Sequence, residues 1–76
     1  MNGEEFRAAL HSGRRVYGTA VTSASSVLVR TIQQIGLDWV FIDNEHSPIG
    51  REQSAWLCQA YQAAGVVPVV RIPTGN

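Results

Sequence analysis

The segment FIDNEHSPIG sets Asp43, Glu45 and His46 directly after an apolar run, Trp39-Val40-Phe41-Ile42, in a chain with only twelve formally charged Asp, Glu, Lys and Arg residues. An imidazole titrates near neutrality, and a neighbouring carboxylate raises its basicity, so this group of residues could supply a general base. A second candidate, Arg71, follows another apolar segment, VVPVV. Its guanidinium offers fixed, paired donors to a carboxylate or to a developing enolate oxygen. Together the residues suit proton transfer next to a carbonyl. Asp43 and Glu45 could also orient the waters of a divalent metal. Structural roles compete with these. Asp43 could be an Asx turn leaving a strand, Glu45 a solvated loop acid, and Arg71 a simple ion-pair partner.

The elements that must position these residues follow from apolar periodicity. Residues 4–11 read as a short helix, with Phe6 and Leu10 one turn apart and Gly13 as its stop. RVYGTAV is a strand interrupted by Gly18. TSASS could hold an anion at a helix N-terminus, but ordinary capping by Ser25 or a neighbour accounts for it better. From Ser26, Leu28, Ile32 and Ile35 keep helical spacing up to Gly36. LDWVFID suits a strand buried on both faces of a parallel sheet. A helix over 50–64 puts Trp56, Ala60 and Ala63 on one face and stops at Gly65, and VVPVVRIP is a third strand. Pro68 cannot donate a ladder bond, so it marks that strand's start or an irregularity. Trp39, Phe41 and Trp56 are expected in the core, and His11 as a favourable charge at a helix end.

This alternation predicts an α/β fold: a leading helix followed by βαβαβ, with right-handed crossovers and parallel strands. Active sites in such sheets lie beyond the carboxyl ends of the strands, where Asp43, Glu45, His46 and Arg71 all fall. A three-stranded parallel sheet keeps open edges, so the 76 residues read as the front part of something larger.

Composition removes several function classes. Formal net charge is zero, which leaves no electrostatic footprint for nucleic acid or anionic membranes. All six basic residues are arginine, so no Schiff-base lysine lies in this chain. The lone Cys58 forms no internal disulfide and sits at an apolar helical position, as a structural thiol would. No apolar run is long enough to cross a membrane, and MNGEEFRAAL lacks the apolar core of a secretion signal, so a soluble cytoplasmic protein is expected.

GLDWVFIDNEHSPIG followed by VVPVVRIP resembles the HpcH/HpaI aldolase family, the metal-dependent class II pyruvate aldolases, and FRAALHSGRRVYGTAV is similar to that family's opening helix and first strand. The resemblance implies the N-terminal part of a (β/α)8 TIM barrel, with residues 1–76 forming part of a single aldolase domain. It also implies reversible cleavage of 4-hydroxy-2-oxo acids to pyruvate and an aldehyde, in a homo-oligomer when full length. Carried over by position, His46 matches the proton acceptor, working through a metal-activated water. Arg71 matches the arginine that binds pyruvate and stabilises its enolate. Asp43 and Glu45 match acidic positions around the metal's water shell. The implied cofactor is Mg²⁺, Mn²⁺ or Co²⁺, whose direct ligands come from later segments of the family's barrel, so the isolated chain is expected to be inactive. Ser47 stands where a glycine is common, and TGN after RIP departs from the usual continuation. Two other functions fit the same residues: a non-catalytic α/β module binding an anion through Arg71, and a citrate-lyase-like acyl-CoA lyase.

Overall fold

A computed structural model describes residues 1–44 and 49–71 of the chain. The leading helix α1, Gly3–His11, is started by Asn2, whose side chain accepts from the Glu5 N–H at 2.8 Å while the Glu5 carboxylate accepts from the Asn2 N–H at 3.1 Å. This reciprocal pair satisfies two of the backbone donors that a helix start leaves open. His11 lies in the last turn of this helix. The N-terminal ammonium donates to the Gly65 carbonyl at 2.6 Å, tying the start of the chain to the turn before the last strand.

Strand β1, Gly18–Val21, leads to helix α2, Ser26–Ile35. Ser25 caps this helix by accepting from the Leu28 N–H at 3.2 Å, and Gly36 ends it in the left-handed region at φ 86°. Strand β2, Trp39–Ile42, is followed by helix α3, Arg51–Ala63, and strand β3, Val67–Val70. At the start of α3, Gln53 reaches back to accept from the Gly50 N–H at 2.9 Å. Glycine has no side chain to return the bond, so only half of a capping box forms.

The three strands are parallel in the order β1-β2-β3, with Gly18, Trp39 and Val67 in register at one end and Val21, Ile42 and Val70 at the other. Pro68 sits second in β3. The Val67 and Arg71 N–H groups both donate toward β2, each at 3.0 Å to Asp38 and Ile42 carbonyls. Strand N–H groups alternate in direction, so the nitrogen of Pro68 points away from β2 and its missing donor breaks no bond to the sheet. No helix among the described residues is long and apolar enough to cross a membrane.

Helices α2 and α3 cover one face of the sheet. Val21, Val40 and Ile42 from the strands meet Val29, Ile32, Leu57, Tyr61 and Val66 in one core. The opposite face differs from the expectation that β2 is buried on both sides. Trp39 and Phe41 are only half-buried, while Val40 and Ile42 are fully buried. Phe6 of α1 covers Trp39 at the amino end, with ring centroids 6.2 Å apart. The buried stripe of α3 is Ser54, Leu57 and Tyr61, not Trp56, Ala60 and Ala63. Trp56 is 44% exposed, whereas Ala60 packs against the core from its edge. Leu10 and Ile35 are likewise exposed.

Two predictions follow from packing. A Cβ on Gly18 would fall 2.3 Å from the Trp39 ring and 2.6 Å from the Trp39 carbonyl oxygen. Backbone cannot move aside as a side-chain tip can, so Gly18→Ala should destabilise the fold by about 1–3 kcal/mol in urea unfolding. Cys58 is half-buried, and burial pushes its thiol pKa up. Thiolate is the reactive form, so at pH 7.5 Ellman's reagent should modify folded Cys58 roughly tenfold more slowly than the urea-unfolded chain.

Candidate active site

Two of the candidate residues, Asp43 and Arg71, lie where β2 and β3 end. Arg71 directly follows β3, and its N–H donates to the Ile42 carbonyl at 3.0 Å. The register that pairs Ile42 with Val70 therefore continues by one step and sets Arg71 abreast of Asp43. The pleat assigns them a face. Val40 and Ile42 point to the helices, so Trp39, Phe41 and Asp43 belong to the opposite, open side. The same alternation carries Val67, Val69 and Arg71 to that side. Asp43 is half-buried and Arg71 exposed. A βαβ unit thus brings together two residues that are distant in sequence, as the spacing predicts.

The next residue, Asn44, turns the other way. Its side-chain oxygen accepts from the Ser54 hydroxyl of α3 at 2.7 Å. Ser54 is a buried polar residue, 6% exposed, within the inward stripe of α3. Neither residue was singled out by type or spacing. The signal that could have found Ser54 is a small hydroxyl at the same helical phase as Leu57 and Tyr61. Ile49, just before Gly50 opens α3, is in the core at 4% exposed. Glu45 and His46 lie in the 45–48 segment, outside the described residues, as does Ser47.

The donor set can be tested against a divalent metal. A carboxylate at the strand end is a hard oxygen donor of the kind that holds a metal's water shell, and Asp43 supplies one. Among the described residues no three of His, Cys, Asp or Glu converge as a protein cage for a metal would require. The remaining candidates take ordinary roles: Ser25 caps α2, and Cys58 is a half-buried thiol with a raised pKa.

No protein-family model matches the chain. Individual relatives do. It is 36% identical over 66 residues to a hydroxypyruvate/pyruvate aldolase of Sagittula stellata, covering 87% of this chain and 26% of that protein. It is also 36% identical over 59 residues to a 2-dehydro-3,6-dideoxy-6-sulfogluconate aldolase of Pseudomonas putida, covering 78% of this chain and 23% of that one. Among solved structures, an HpcH/HpaI aldolase from Desulfitobacterium hafniense superposes with a TM-score of 0.79 at 30% identity, over 92% of this chain and 27% of its own. The citrate synthase SbnG superposes at 0.78 and 35% identity, over 87% of this chain and 27% of its own. The chain thus spans about a quarter of the length of the relatives it matches. A leading helix and three parallel strands joined by helices correspond, over 92% of this chain, to part of an HpcH/HpaI aldolase barrel.

Proposed function

We propose that the polypeptide carrying this chain is a metal-dependent pyruvate aldolase, of which residues 1–76 form the N-terminal part of a single barrel domain. It cleaves 4-hydroxy-2-oxo acids reversibly to pyruvate and an aldehyde. The observation that carries this reading is the alignment of Arg71 with Asp43 at the carboxyl ends of adjacent parallel strands. The aldolases among the relatives support it. A cytoplasmic homo-oligomer is the form proposed.

In the cleavage direction the substrate's C4 hydroxyl loses its proton to His46 and the C3–C4 bond breaks. The aldehyde departs as its carbonyl forms, and the bonding pair moves into the enolate of pyruvate. Protonation at C3 then completes the product. Arg71 donates to the enolate oxygen, with charge-assisted hydrogen bonds that strengthen as negative charge develops there. Asp43 and Glu45 would hold the water shell of a divalent ion, which when bound supplies Lewis acidity to the 2-oxo acid.

A second reading has its own support. The citrate synthase SbnG is as similar to this chain as the aldolases are. A barrel acting on citrate-type acids would keep Arg71 as the grip on a carboxylate and change the other substrate.

Both readings are tested on the complete polypeptide with Mg²⁺ or Mn²⁺ added, by assaying pyruvate release from 4-hydroxy-2-oxo acids beside citrate-forming and citrate-cleaving activity. Arg71→Ala should lower kcat roughly 10²–10³-fold, a loss of about 3–4 kcal/mol in the transition state. Arg71→Lys should recover only part of this, because an ammonium lacks the planar fork. His46→Ala should lower the proton-transfer rate roughly 10²–10⁴-fold with metal affinity little changed. Near-wild-type cleavage in His46→Ala would refute its role as base, and a collapse of metal binding would make it a ligand instead.

A further inference from the structure

We infer that Asn44 and Ser54 form a positioning pair, which fastens the carboxyl end of β2 to α3 and so fixes the adjoining Asp43 beside Arg71. The inference rests on the aldolase reading for its catalytic consequence, and on geometry for the clasp itself. Ser54 Oγ donates to Asn44 Oδ1 at 2.7 Å, ten residues away along the chain. Ile49 is 4% exposed in the core and the Gly50 N–H is held by Gln53 at 2.9 Å. The end of β2 and the residues that open α3 are thus each held by a side chain of that helix's first turn.

The choice of residue types supports a dedicated contact. Serine is a poorer helix former than alanine, and its hydroxyl commonly turns back to the backbone of its own helix. Ser54 instead reaches across to the strand end from a position 6% exposed. Asn44 stands between Asp43 and Glu45. A neutral amide there accepts the hydroxyl without adding a third negative charge to the run. The clasp thus holds the helix side of the strand end while the charged residues on either side are left to the chemistry.

Alanine at position 54 is favourable for the helix, so Ser54→Ala separates the hydrogen bond from helix stability. On the complete polypeptide, Ser54→Ala and Asn44→Ala should each lower kcat for aldol cleavage roughly 10–100-fold, the scale of a small misplacement of catalytic groups. KM should stay within about twofold, as for interactions made only in the transition state. The double variant should be no slower than either single one, because both remove the same bond. Asn44→Asp keeps the acceptor but adds the charge that the amide avoids, so exchange at Ile49 and Gly50 should stay near the wild-type rate while kcat falls. Amide hydrogen exchange at Ile49 and Gly50 should quicken in Ser54→Ala. Unchanged kcat in Ser54→Ala, or losses that multiply in the double variant, would overturn the positioning role. A wild type that cleaves no 4-hydroxy-2-oxo acid would overturn the aldolase reading instead; the clasp is then upheld by faster exchange in Ser54→Ala and overturned by unchanged exchange.

Discussion

Asp38 holds the amino ends of all three strands in step. Its N–H donates to the Tyr17 carbonyl at 2.7 Å, its carboxylate accepts from the Tyr17 N–H at 3.0 Å, and its carbonyl accepts from the Val67 N–H at 3.0 Å. One residue therefore touches the chain just before β1 and the first residue of β3 while leading into β2. Parallel strands have no hairpin turn to set their register, and the helical crossovers leave slack. A slip by one residue would turn every side chain to the other face. Pinning the strands where they begin decides which residues stand side by side where they end. That is how Arg71, four residues beyond Val67, comes to lie abreast of Asp43, five beyond the clamp at Asp38.

The same register governs the faces. Val40 and Ile42 disappear under α2 and α3, and the other set, Trp39 and Phe41, keeps partial exposure. Trp39 is covered at the amino end by Phe6 and lies against Gly18, where even a methyl group would collide with it. In barrels of this family the strands close on themselves, so the face turned away from the helices becomes an interior packed with side chains. Half-buried aromatic residues on that face are what a part of such a barrel should show.

Much of this was readable in the sequence because it depends on local chemistry. Gly36, Ser25 and the apolar runs mark helix ends and strands by backbone preference and periodicity, and the alternation of elements implies parallel pairing. The meeting of Asp43 and Arg71 followed from the βαβ geometry alone. The misplaced residues share a different cause. Trp56, Leu10 and Ile35 fit an apolar helical phase, but periodicity does not say which of two overlapping stripes faces the sheet. On α3 the stripe of Leu57 and Tyr61 fills the space above β2 and β3, and Trp56 rotates outward. Asn44 and Ser54 were missed because their bond joins a loop to a helix, and neither type is distinctive alone. The assignments to Glu45 and His46 rest on the resemblance, since both lie outside the described residues.

The charged residues at the end of the most hydrophobic strand have a physical reason to be there. A strand covered by helices excludes ionised groups along its length, because each would lose its hydration without a partner. Where β2 passes the end of the core, that restriction ends within one residue: Ile42 is fully buried and Asp43 already half-exposed. The boundary is still rigid, because Ile42 remains bonded to Arg71 and Asn44 to Ser54. Groups that must carry charge and yet keep fixed positions are best placed at such an edge, with solvent or substrate on one side and the packed sheet on the other. Polarity at the strand end therefore reflects how firmly the apolar segment beneath it is held.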